Sequence, residues 1–242
     1  MGKYSKKSLF TEHIMKVALC ISGQMRFLES GFQKLNNNLL LPNNCDVFIH
    51  SWFDEKMIGK NYSSRWNYKV NENITEDAIN LYNPKLYKFD SQIDFKDKVD
   101  KYDERRVLGV YPRIIETSHS MFYSIMKCND LKIKYEKDNN FKYDCVIRAR
   151  FDYNLNTKID VSKLDLNNIY VNNGCTHEKL CINDHISISN SDNIDYYSDV
   201  FNNIDNIYNE GSRYNPEVIL GRYIHKKLNV VEMNLNSNII RK

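Results

Sequence analysis

The chain has 242 residues, 42% of them hydrophobic and 27% charged, enough for one sizeable domain with a real core. Its formal net charge is +3, with Lys and Arg scattered among Asp and Glu, which speaks against a nucleic-acid partner and leaves room for an anionic small molecule. No stretch approaches the roughly 18 consecutive apolar residues of a membrane span, and the basic start MGKYSKKSLF has no apolar core behind it, so a soluble, cytoplasmic protein is expected, with peripheral membrane association left open.

Residues 1–15 read as a polar N-terminal arm on a single domain spanning 1–242. KVALCISGQMR (16–26) is then a short apolar run that ends in Ser22, Gly23 and Gln24, the pattern of a buried parallel strand with a tight exit. Phe27, Leu28, Phe32, Leu35 and Leu39 follow at helical spacing over 27–41. CDVFIHSW (45–52) repeats the strand pattern, and EDAINLYNPKLYKFD (76–90) reads as a short helix, a Pro-marked break and a third strand. This alternation predicts a doubly wound α/β fold with a mostly parallel central sheet flanked by helices.

Residues 91–112 are charged and weakly periodic, and are expected to be a mobile surface segment. Met121, Phe122, Ile125, Cys128 and Leu131 mark a helix over 116–137, which leads to YDCVIRARFD (143–152) as the next strand. A strand near 169–172 comes next, then a polar loop, a short strand, a helix capped by Asp192, a helix over 217–227 and a strand at 228–233. The six cysteines, without an export signal, are expected to be reduced thiols, and Cys20, Cys45, Cys128 and Cys145 suit the core.

Ligands of open α/β sheets bind at the carboxyl ends of parallel strands, so the polar residues there are the first candidates. After the first strand, Ser22, Gly23, Gln24 and Arg26 form a Gly-containing loop that could hold phosphate oxygens, although a plain turn has the same composition. His50 and Trp52 end the second strand and could line a sugar or acceptor pocket, or simply support the sheet. At the third, period-two alternation places Arg148, Arg150 and Asp152 on one face. Two buried guanidiniums must meet carboxylates or phosphates, so the cluster is either a phosphate site or an internal salt-bridge network. Cys175, His177, Cys181 and His185 crowd one stretch, but their spacing matches no familiar zinc pattern.

VALCISGQMR, DVFIHSW, YNPKLYKFDSQ, YDCVIRARFD and NDHISISNSDNIDYYSDVF occur in an order that resembles the WavE-type glycosyltransferase-like proteins of lipopolysaccharide and capsule synthesis, found in bacteria and large viruses. The likeness runs from about Val17 to about Leu228. It implies a GT-A-like fold and transfer of a sugar from a nucleotide-diphospho-sugar to a glycan or lipid-linked hydroxyl, in surface-polysaccharide or glycoprotein glycan synthesis. The same scaffold could also serve as a non-catalytic nucleotide- or glycan-binding module.

On this resemblance Asp152 takes the place of the Asp-x-Asp motif and would bind Mn2+ or Mg2+, with Arg150 standing where the other acid would be. Arg148 and Arg150 would stabilise phosphate charge or position Asp152, and Ser22 to Arg26 would hold the nucleotide. Asp184 is the first candidate for the catalytic base, Glu217 the second, and His185 would sit on the acceptor side.

Overall fold

The computed structural model describes residues 14–63, 66–102 and 114–241. Strand β1 (Val17–Gly23) is apolar on both faces because both are covered. Leu19 and Ile21 face a core shared with Leu28 and Leu35 of helix α1 (Leu28–Leu35), while Ala18 and Cys20 face the opposite core. The helix runs on through a π-helical turn (Asn36–Leu40) into α2 (Leu41–Asn43). Two amides from this stretch reach across to a segment distant in sequence: Asn38 Nδ2 donates to Leu155 O and Asn43 Nδ2 to Ile159 O, both at 2.9 Å.

Strand β2 (Asp46–Trp52) follows, then a two-stranded antiparallel ribbon, β3 (Asn61–Ser63) and β4 (Trp66–Lys69), that sequence reading missed. Helix α3 (Ile74–Tyr82) places Ile74, Ala78 and Tyr82 in the same core as α1, and strand β5 (Leu86–Asp90) pairs beside β2. The expected mobile segment is ordered in its first part. Phe95 and Tyr102, the latter at the end of α4 (Val99–Tyr102), are buried and pack around His119, because aromatic contacts far apart in sequence outweigh the charged neighbours. Residues 103–112 of that segment, and 1–13 of the N-terminal arm, lie outside the described residues.

Helix α5 (Ile114–Asp138) crosses the second face with Phe122, Ile125 and Cys128 of its expected stripe buried, Met121 and Leu131 partly buried against the same core, and Ile115 added before the expected start. It leads to β6 (Cys145–Ala149), then to β7 (Tyr153–Leu155), β8 (Ile169–Asn172) and β9 (Ile186–Ser189). Helices α6 (Ser191–Ser198), α7 (Val200–Asn209) and α8 (Pro216–Ile224) add to the second face. The α6 cap is Asn190, whose side chain accepts from Asn193 N at 2.9 Å, and not Asp192, which lies inside the first turn. Strand β10 (Val230–Met233) joins the sheet, and β11 (Ser237–Ile239) pairs antiparallel with β7.

The main sheet has seven strands in the order β10-β8-β9-β6-β1-β2-β5. Only β9 runs against the others, so the class is the α/β fold with a mostly parallel sheet flanked by helices expected from the sequence. From β1 the chain builds outward to β2 and β5, then returns to lay β6 on the other side of β1. The chain therefore leaves the carboxyl ends of β1 and β6 toward opposite halves of the sheet, the kind of switch point at whose crevice α/β sheets bind their ligands.

Candidate active site

The crevice is closed by one carboxylate. Asp152 is 2% exposed and accepts from Arg26 Nη2 at 2.7 Å, from Arg150 Nε at 2.9 Å and from Arg150 Nη2 at 3.2 Å. Burial alone would raise its pKa, but the charges and hydrogen bonds of Arg150 and Arg26 outweigh that and hold it below the usual carboxylate range. The β1 exit thus supplies one guanidinium and the β6 exit the other.

The loop that carries Asp152 is seated on α1. A Cβ on Gly31 would lie 1.7 Å from the Phe151 carbonyl oxygen, so only glycine lets the helix approach this closely. On the other side Ile240 N donates to Asp152 O at 2.8 Å, which ties the C-terminal strand to the same turn.

Arg148 and Arg150 have different partners. Strand β6 ends at Ala149 and the chain turns at Phe151 and Asp152, so Arg150 swings to Asp152. Arg148 stays inside, 1% exposed, where Nη1 donates to the backbone carbonyl of Asp184 and Nε has no partner. It braces the 183–185 loop.

The β1 turn is held by a buried relay. Gly23 N donates to Ser124 Oγ at 2.9 Å, Ser124 Oγ meets His50 Nδ1 at 2.8 Å, and His50 Nε2 meets Asp90 Oδ2 at 3.1 Å. Asp90 can only accept, so Nε2 carries the proton and Nδ1 accepts from Ser124. Burial lowers the pKa of His50 against the pull of Asp90, which keeps the ring neutral. Gly23 itself has φ 112°, a conformation that favours glycine. His50 is fully buried, and Trp52, 2% exposed, stacks on Tyr123. Neither lines an open pocket, so the expected sugar contacts of His50 and Trp52 are replaced by support of the turn. Ser22 is likewise buried, with Oγ unpartnered, while Gln24 is half-buried.

The loop between β8 and β9 brings Asp184 and His185 to the same edge, because β9 runs antiparallel to β6 and β8 and starts where they end. His185, just before β9, is pushed down to about 4 by burial, and by the charges of Arg150 and Arg148 against those of Asp184 and Asp152, so it is neutral at physiological pH. It lines a cavity of about 420 Å3 with Asn172, Asn173, Asn183, Ser237 and Arg241. Sequence reading missed the contribution of residues 237–241, because β11 is three residues long and carries no period. A larger cavity, about 610 Å3, opens among α6, α7 and α8 beside Tyr196 and Tyr223, and shares no residue with the crevice.

Asp184 is buried, with Oδ1 3.7 Å from His185 Nε2. Glu217 stands in the first turn of α8, where Asn215 Oδ1 accepts from Glu217 N at 2.9 Å and Val218 N at 3.3 Å. Burial and the charge of Asp184 push Glu217 up to about 7. Its Oε2 lies 3.0 Å from His177 Nε2. The expectation of six reduced thiols fails at this point: Cys175 and Cys181 form a disulfide, while Cys20, Cys45, Cys128 and Cys145 are free. Nothing in a six-residue spacing within a polar loop announces that bond.

Mg2+ and Mn2+ take sets of oxygen ligands. Both Asp152 oxygens are engaged by guanidiniums, and among the described residues no group of three or more His, Cys, Asp or Glu side chains could hold a metal ion. The residues at this strand end do not fit the expected cation.

No curated protein sequence matches the chain. Among solved structures it is similar to the apo form of the glycosyltransferase GlyE from Streptococcus pneumoniae TIGR4, with 10% identity and a TM-score of 0.45 over 90% of this chain and 45% of that one. The chain thus spans less than half the length of that enzyme. A family profile matches residues 12–213, and the chain belongs to that family, described as a domain of unknown function (DUF7796).

Proposed function

We propose that the protein is a glycosyltransferase, a single domain that moves a sugar from a nucleotide-diphospho-sugar to a hydroxyl of a glycan or lipid-linked acceptor. The observation that carries this reading is the convergence of Arg26 and Arg150 at the crevice between β1 and β6. Two guanidiniums on one carboxylate leave the trio net positive, and planar forks suit the oxygens of a diphosphate. The departing nucleoside diphosphate would be stabilised by these arginines, the task a divalent cation performs elsewhere.

The cavity beside His185 offers the side-chain amides of Asn172, Asn173 and Asn183 and the guanidinium of Arg241 to sugar hydroxyls. For the base, Glu217 is the stronger choice over Asp184. It is raised to about 7, close to the pH at which it would work, and its side chain is 20% exposed against 9% for Asp184.

Thermal shift with UDP-, GDP-, CMP- and dTDP-sugars, each with and without Mn2+, tests the reading. One nucleotide family should raise the melting temperature equally with and without Mn2+, and Arg26→Ala should remove the shift. A shift that requires Mn2+ would return the cation to Asp152. Binding without release of nucleoside diphosphate to any acceptor would favour the non-catalytic module, and no shift at all would sink both.

A further inference from the structure

The loop from Asn173 to His185 is mostly polar, yet it is fixed at several points. Cys175 and Cys181 close it covalently. Cys181 N donates to Glu178 O and Ile182 N to Glu217 O, both at 3.1 Å. Arg222 of α8 grips Glu178 Oε2 through Nε at 3.0 Å and Nη2 at 2.8 Å. A Cβ on Gly221 would lie 1.9 Å from Leu180 O, so α8 packs directly on the loop backbone. The turn enclosed by the disulfide carries His177, 38% exposed, whose Nε2 rests 3.0 Å from Glu217 Oε2.

We infer that His177 is a positioning residue for Glu217, and that the Cys175–Cys181 disulfide is the brace that holds it there. The inference rests on the proposed role of Glu217 as the base. Asp184, His177 and Cys175 face Glu217 from the loop, the Cys175 sulfur 3.7 Å from Oε2, while Arg222 on its own helix is committed to Glu178. A carboxyl group at the start of a helix could rotate freely. A donor on Oε2 fixes its plane and turns Oε1 toward an incoming hydroxyl.

In the transfer step the acceptor O–H bond would break, with its proton going to Glu217 Oε1. The acceptor oxygen would bond to the anomeric carbon as the bond from that carbon to the diphosphate oxygen breaks, with the electron pair leaving on phosphate. His177 keeps its Nε2 proton throughout, which is what distinguishes a positioning residue from a second base. A dithiol reductant would open the brace by thiol–disulfide exchange, giving two cysteine thiols and the oxidised dithiol.

Two measurements decide the matter. The 15N spectrum of the His177 ring reports which nitrogen is protonated, whether or not a substrate is known. The expected result is a protonated Nε2 in the oxidised protein, and a mixture of tautomers in Glu217→Ala, in Cys175→Ser/Cys181→Ser, or after reduction with dithiothreitol. An unchanged spectrum in all three overturns the inference.

With the nucleotide-sugar identified by thermal shift, His177→Ala should lower kcat about tenfold with KM unchanged, the loss of one charge-assisted hydrogen bond. His177→Gln, which keeps a donor near Nε2, should restore much of it. Equal loss in the Ala and Gln variants would also overturn the inference. If the wild-type protein cleaves no nucleotide-sugar, the proposed function fails separately, and the ring spectrum still decides the pairing.

Discussion

Asp152 is 2% exposed and sits between two guanidiniums, those of Arg26 and Arg150. Its sequence position at a strand end suits a metal ligand, but Arg26 and Arg150 meet it first. Breaking a buried ion pair by removing one partner costs about 3–5 kcal/mol. Asp152→Asn is therefore expected to destabilise the fold by roughly 3 kcal/mol at pH 7, besides weakening nucleotide binding. The pH dependence follows from the sign of the shift. The folded-state pKa lies below the ordinary 3.8, so the ion pair contributes fully above that value and is lost as pH falls through the folded pKa. Urea titrations of the two proteins should differ most near neutrality and converge in acid. Equal stability at pH 7 would mean that the arginines do not depend on Asp152.

At the scale of elements, the seating of α1 on the Asp152 turn makes a backbone contact decisive. Gly31 is half-way along a helix, where glycine is about 1 kcal/mol worse than alanine by propensity alone. Gly31→Ala should therefore stabilise an isolated helix. Here its Cβ would collide with Phe151 O, and backbone cannot yield as a flexible side chain can. The substitution is expected to lower the melting temperature and to weaken nucleotide binding together, as the Asp152 turn is pushed from Arg26. A variant that gains stability and binds normally would show that α1 does not position the turn.

The same contrast explains what the sequence reveals of the elements. Apolar runs such as 17–21 and 145–147 announce buried strands, and the stripe on α5 announces its helix, because each pattern reflects burial along the element itself. The end of β6 at Ala149, the reversed direction of β9 and the pairing of β11 with β7 depend on partners distant in sequence. So does the burial of Phe95 and Tyr102 within a charged stretch. Arg148 and Arg150 are the clearest case: two residues apart, they look equivalent, yet one turn of backbone sends them to different tasks.

For the whole molecule, the topology selects among the surfaces. By size alone the cavity of about 610 Å3 among α6, α7 and α8 would be preferred to the one of about 420 Å3 beside His185. The strand order argues the reverse, since the crevice where β1 and β6 part company lies at the carboxyl edge, and Arg26, Arg150, Asp184 and His185 come from that edge, with Glu217 of α8 beside Asp184. Hydrogen exchange can weigh the two. A ligand that binds the native state slows the local opening of the backbone it touches. The nucleotide-sugar that gives a thermal shift should protect amides of residues 23–28, 150–153 and 183–186. Those of α7 and the C-terminal half of α8, around the larger cavity, should exchange as in the free protein. Protection confined to α7 and α8 would move the binding site to the helical face and would leave the arginine pair at the crevice with a purely structural task.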